Sequence, residues 1–300
     1  MIYGLLAGIL SGLDTVLLGI ALNSLPFVST KEAIFLAPFV SAFFHDFFTS
    51  SWMALYMGFS KKLKGALKMI DTPSGRCIMI AAIFAGPVGM TAYMLAILYI
   101  GPAYAAIISS LFPAVGAFLS YVFLKEKMSR NGVVGLFISI LGVIILGAGG
   151  STRVTNLFLG FVWALIAVLG WASEAVICSY GLRRNDITPE QSLQIRQLTS
   201  CFINGFLVLP LVGGVKFAIG VIPTSTTLII ILTTFFATIG SLCYYKAIKK
   251  IGATRSMSLD ITYAAWTVFF GVIILGNSLE IKSVICCIMI ISGSIMAAKK

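Results

Sequence analysis

Ten stretches of about 20 apolar residues, each long enough to cross roughly 30 Å of hydrocarbon, follow one another through this chain. They fall at residues 2–22, 33–58, 77–98, 102–124, 131–149, 156–179, 191–212, 225–247, 254–275 and 281–298. Most connections are short. The longest, residues 59–76, carries Lys61, Lys62, Lys64 and Lys68 on an amphipathic surface segment. With 59% hydrophobic and 10% charged residues, against about 25% charged in a soluble domain, the chain reads as an integral membrane protein without an extramembrane domain.

The second five stretches repeat the first. Gly89 pairs with Gly240, Tyr93 with Tyr244, Ala96–Ile97 with Ala247–Ile248, Phe118 with Phe269 and Gly142 with Gly293, always 151 residues apart. An odd number of spans per copy turns the second copy upside down in a bilayer. The expected fold is therefore all-α, with ten transmembrane helices as two inverted five-helix repeats, residues 1–150 and 151–300. Inverted repeats of this kind build secondary transporters, with substrate near the midplane between the halves. Gly4, Gly8 and Gly12 place small residues on one face of the first span, as close helix packing requires. Pro38, Pro87 and Pro113 lie within spans and are expected to kink or interrupt them.

The net charge of +11 does not point to nucleic acid, because the basic residues sit in short loops where they set orientation. With the N-terminus inside, sixteen Lys and Arg fall in inside loops, and only Lys31, Arg153, Lys216 and Lys282 fall outside. Arg196 lies within the seventh span. The expectation is a multi-pass protein of the cell (inner) membrane with both termini cytoplasmic. The six cysteines lie in apolar segments, and the single histidine, His45, leaves them no metal-ligand spacing; no metal and no cofactor is expected. Gly-x-Ser-x-Gly, His-Glu-x-x-His and Walker motifs are absent, so neither ATP-driven transport nor common hydrolase chemistry has support.

An ionisable residue at membrane depth costs about 2.5–3.5 kcal/mol on insertion scales, so each is a functional candidate. Asp14, Asp46, Glu174 and Asp260 are the acids, beside His45 and Arg196. Asp14 and Glu174 match at an offset of 160, and His45–Asp46 match Arg196–Gln197 at 151. Two symmetry-related carboxylates are expected to face each other across a central cavity. For Asp46 the competing reading is a structural ion pair with Arg196 or His45; Asp14 and Asp260 have no evident basic partner. Trp171 and Glu174, three apart, share a helical face, as do Asp260, Tyr263 and Trp266 at i, i+3 and i+6. Carboxylates beside Trp and Tyr rings suit an organic cation, since each ring supplies about 0.5–2 kcal/mol of cation–π attraction without needing an N–H on the ligand. Tyr93 and Tyr244 would line the path. Trp163 reads as interfacial, and Trp52 is undecided between belt and site. His45, Asp46, Asp14 and Glu174 are the proton-coupling candidates; the coupling ion, proton or sodium, and the oligomeric state stay open.

Two stretches, "YIGPAYAAIISSLFPAVGAFLSYVFLKEKMSRNGVVGLFISILGVIILG" and "KIGATRSMSLDITYAAWTVFFGVIILGNSLEIKSVICCIMIISGSIMA", resemble the EamA-type permeases of the drug/metabolite transporter superfamily. Within it, "AGPVGMTAYMLAILYIGPAYAA", "GWASEAVICSYG", "QIRQLTS" and "YAAWTVFFG" resemble bacterial choline-uptake permeases. That resemblance implies an importer caging choline among aromatics beside a carboxylate, at positions matching Trp171, Glu174, Tyr263 and Trp266. The first span reads Ser11–Gly12–Leu13–Asp14 where those permeases are expected to carry Trp–Gly. The alternatives are an exporter of amino acids or related metabolites, with a cavity of hydroxyls and amides, and a lipid-binding or assembly subunit with no central pocket.

Overall fold

Each apolar run becomes a helix, and the polar residues at its edges decide where it starts and stops. The computed structural model describes residues 1–147 and 156–299; Arg153, Lys300 and the expected repeat boundary at residues 150 and 151 lie outside the described residues. Nine described helices are long and apolar enough to cross a membrane: α1 (Ile2–Leu22), α2 (Lys31–Phe59), α3 (Pro73–Ile97), α4 (Ile107–Leu124), α5 (Arg130–Gly147), α6 (Leu157–Arg183), α8 (Ser225–Ile251), α9 (Ala253–Leu275) and α10 (Ile281–Ala298). A tenth span, α7 (Pro189–Leu211), is followed by Val215–Val221 at an angle of 117°. Several helices begin before their apolar run because capping chemistry extends them. Thr72 accepts from the Gly75 N–H at 3.1 Å with Pro73 in the first turn, and Thr188 forms a capping box with Gln191 ahead of Pro189. These side chains satisfy backbone donors that lipid would leave unpaired. The lysine-rich connection folds as a short helix, Leu63–Lys68.

Packing repeats with the sequence. α1 lies along α8 and α9, α6 lies along α3 and α4, and α5 packs on α10. Exchanging every helix with the one five places on returns the same pairs, as an inverted repeat demands. The echoed glycines sit at these crossings. A Cβ on Gly240 would lie 3.0 Å from Leu10 Cβ where α8 meets α1. At the equivalent crossing of α3 and α6, a Cβ on Gly170 would lie 3.0 Å from Gly89 Cα. Between α5 and α10, Ser139 donates to the Ile290 carbonyl at 3.0 Å beside the Ser294 hydroxyl at 3.1 Å. Small residues and buried hydroxyls join helices where lipid provides no hydrophobic drive. Large apolar side chains such as Phe137, Phe158, Phe206 and Ile281 instead point outward, 66–81% exposed, a surface suited to lipid.

Two helices are interrupted at matching places. The first helical stretch ends at Ser109 and resumes at Phe112 in α4; in α9 it ends at Asp260 and resumes at Tyr263. Each gap is a tight turn, with Leu111 N–H donating to Ile108 O and Thr262 N–H to Leu259 O. Both helices then end on a left-handed residue, Lys125 (φ 56°) and Gly276 (φ 68°), which stops an α-helix by turning the chain away. The prolines act differently from one another. Pro38 stays inside α2, Pro87 sits in a π-helical stretch, Phe84–Met90, and Pro113 opens the resumed half of α4.

Candidate functional site

The interruption in α9 sets the geometry of the polar centre. Asp260 is the last residue of a half-helix, where the macrodipole end is negative and cations are favoured. Its carboxyl lies within electrostatic range of Glu174 on α6, and Tyr244 on α8 senses both acids. Tyr263, opening the second half of α9, lies within range of Asp260 and of Tyr93 on α3. Tyr93 stands 5.2 Å, centroid to centroid, from Trp171, and Phe112 meets the same indole edge-on at 6.4 Å. The Trp171 ring is fixed by its N–H, which donates to the Ala85 carbonyl at 3.2 Å, a carbonyl in the π-helical stretch of α3. Electrostatic range and ring contacts thus link Asp260, Glu174, Tyr93, Tyr244, Tyr263 and Trp171.

Trp266, farther along the same half-helix as Tyr263, meets α1. The turn at Ile261–Thr262 breaks the regular i, i+3, i+6 face, and Trp266 packs over α1. A Cβ on Gly12 would lie 2.5 Å from Trp266 Cβ. The indole rests edge-on against Phe269 at 5.8 Å, and its buried N–H has no hydrogen-bond partner.

The acids are not left bare, and they do not simply face each other. Glu174 Oε1 accepts from Arg196 Nε at 3.1 Å and from the Tyr245 hydroxyl at 3.3 Å. Arg196 NH1 also reaches Asp46 Oδ1 at 3.7 Å, and Asn204 donates to Asp46 Oδ2 at 2.8 Å. Asp14, expected to lack a basic partner, pairs with His45 Nε2 at 3.2 Å. Asp14–His45 joining α1 to α2, and Glu174–Arg196 joining α6 to α7, are therefore the same ion pair built once in each half. Among the described residues Asp260 alone of the four intramembrane acids makes no ion pair. Charge in a low-dielectric interior is costly without a partner, and Asp260 has none of the ion-pair partners that hold the other three acids.

Tyr245 and Asn204 escaped the sequence reading. Both occupy positions where the repeats disagree: Tyr245 replaces Met94, and Asn204 replaces Met53, at the offset of 151. Trp52 donates to the Ile231 carbonyl at 3.2 Å and packs on Phe235, and Trp163 packs beside Ala96 and Ala164; both hold helices together. The six thiols are free. Among the described residues no group of three or more His, Cys, Asp or Glu could hold a metal ion.

The EamA-like transporter family matches residues 1–148 and again 158–298. Protein LicB of Haemophilus influenzae is 30% identical over 298 residues, covering 98% of this chain and 96% of that protein. Uncharacterized transporters of Clostridium kluyveri and of Bacillus subtilis (YyaM) are each 25% identical, over 73% and 67% of this chain. A protein of known crystal structure, 16% identical, superposes with a TM-score of 0.78 over 99% of this chain and 95% of its own; at that identity the likeness shows the fold alone. The chain belongs to the EamA-like transporter family and is a multi-pass membrane transporter, not an enzyme.

Proposed function

We propose that this EamA-like transporter carries a small organic cation, choline or a related quaternary ammonium compound, by alternating access across the cell membrane with both termini in the cytoplasm. The observation that carries this reading is Asp260, an intramembrane carboxyl without an ion-pair partner, at the negative end of a half-helix, with Tyr244 and Tyr263 within electrostatic range and Tyr93 against Trp171 nearby. A quaternary ammonium offers no N–H, so rings and diffuse negative charge are what can hold it. Discontinuous helices at the midplane are where transporters of inverted-repeat build place substrate. Glu174, held by Arg196 and Tyr245, adds negative potential without taking the cation's full charge. Trp266 walls the side toward α1. His45, Asp14 and Asp46 are the group through which a proton would couple.

Calorimetry on purified protein tests the reading. Choline, betaine, carnitine or a polyamine should bind, and Asp260→Asn should weaken that binding at least about tenfold, equivalent to about 1.4 kcal/mol, while the protein stays folded. Binding of neutral amino acids with none of these cations would overturn it.

A further inference from the structure

A cavity of about 300 Å³ opens at the end of the molecule where the α4–α5 turn meets the ends of α6, α8 and α10 and the start of α9. Five basic side chains line it, Lys127, Arg183, Lys249, Arg255 and Lys299, against one acid, Glu126. Glu126 is already neutralised. Its Oε1 pairs with Arg183 at 2.6 Å and its Oε2 accepts from the Thr254 N–H at 3.2 Å. Gly252 is needed beside it, since a Cβ there would lie 2.6 Å from Glu126 Oε1. Arg183 spends a second N–H on the Leu124 carbonyl at 2.9 Å, and Lys249 donates to the Ile187 carbonyl at 3.1 Å. Lys127 and Arg255 make no ion pair among the described residues. The lining therefore keeps a surplus of positive charge after its internal contacts are satisfied.

Two further features turn a basic patch into a site. The half-helix Ala253–Asp260 starts here, so the positive end of its macrodipole lies at the cavity, beside Glu126, which accepts its Thr254 N–H. Thr254, in its first turn, is 5% exposed and lines the cavity, yet its buried hydroxyl has no hydrogen-bond partner. A buried hydroxyl left unpaired costs about 1–3 kcal/mol, which rotation of the side chain toward a ligand oxygen in the cavity would relieve.

We propose that this cavity binds a phosphate-bearing anion, at a site separate from the cation site and independent of what that site carries. Arg255 supplies the planar fork suited to phosphate oxygens, Lys127 a mobile counter-charge, and Thr254 the buried hydroxyl. An occupant joins the α4–α5 turn to α6, α8 and α9 and so steadies this end of the transporter. The phosphate can come from solution or from a lipid headgroup, and the test separates the two.

Full-length protein in phosphatidylcholine nanodiscs is titrated with inorganic phosphate at constant ionic strength, and thermal unfolding is followed. A solution phosphate raises the unfolding midpoint by a few degrees where chloride does not. A lipid phosphate leaves that titration flat but raises the midpoint when part of the phosphatidylcholine is replaced by phosphatidylglycerol. In either case Arg255→Gln and Thr254→Val erase the shift and keep choline binding unchanged. A flat response to both probes, or an equal shift in both variants, overturns the proposal. Loss of choline binding with the phosphate response intact would count against the cation reading alone.

Discussion

The two copies of the intramembrane ion pair differ in the nature of the cation. In the first half Asp14 meets His45 at 3.2 Å, and both side chains keep a fifth or more of their surface exposed. In the second half Glu174 meets Arg196, which also reaches Asp46, while Tyr245 and Asn204 hold the two acids from behind. One repeat thus carries a titratable cation on a single contact, and the other a permanent cation inside a network. Duplication supplied the same position twice; divergence made one copy a fixed strut and left the other adjustable. The residues proposed to bind the cation lie in the same half as the strut. Asp260, Tyr263 and Trp266 all belong to the second half, where the first has Ser109, Phe112 and Val115.

Breaking the strut gives the largest expected effect. Arg196→Met leaves Glu174 and Asp46 as buried acids without their shared partner, which costs about 3–5 kcal/mol when one member of a buried pair is removed. The yield of folded protein in detergent and its thermal unfolding midpoint should fall sharply. Removing the cation together with both acids, as Arg196→Met with Glu174→Gln and Asp46→Asn, should recover much of the loss. A single variant as stable as the parent would mean the network carries no load.

Much of this arrangement was legible in the sequence because two signals are local. Apolar length alone marks the spans, and the glycines echoed at an offset of 151 mark the helix crossings. The pairing of Asp14 with His45 was not legible, since it depends on how closely α1 approaches α2, a distance no spacing encodes. The approach of Trp266 to Gly12 on α1 was not legible either. Counting i, i+3, i+6 assumes an unbroken helix, and the turn at Ile261–Thr262 rotates everything beyond it. The Met94/Tyr245 and Met53/Asn204 differences were readable by the same reasoning that singled out Ser109/Asp260.

The next effect tests the second asymmetry. Gly12 on α1 corresponds to Ala172 on α6 at the offset of 160, and Trp266 corresponds to Val115 at 151. The half with the large ring therefore has the glycine, and the half with valine tolerates a methyl group. Gly12→Ala should cost about 1–3 kcal/mol by overpacking, because its Cβ would fall 2.5 Å from Trp266 Cβ. Trp266→Val keeps the Cβ and the backbone atoms that the added methyl group meets, so in a double-mutant cycle on the unfolding midpoint it should leave most of that cost in place. A cost largely reversed by Trp266→Val would show that the ring itself, rather than the close approach of the two backbones, excludes the methyl group. Gly19→Ala on the same helix serves as the control, since a Cβ there meets nothing within 4 Å.

The smallest effect on stability falls on the adjustable copy, and it is the most telling for transport. His45→Gln removes one partly exposed pair, worth about 0.5–1.5 kcal/mol, and should leave the fold intact. His45→Arg makes the first half resemble the second, with a cation that holds its charge at every working pH, whereas imidazole changes charge within the physiological range. If coupling runs through the Asp14–His45 pair, uptake by His45→Arg protein in proteoliposomes should lose its dependence on pH and on an imposed proton gradient. Binding of the organic cation should persist, because Asp260 and the Tyr93–Trp171 face are untouched. A pH profile identical to the parent would place the coupling elsewhere, and the soft ion pair of the first half would then be packing alone.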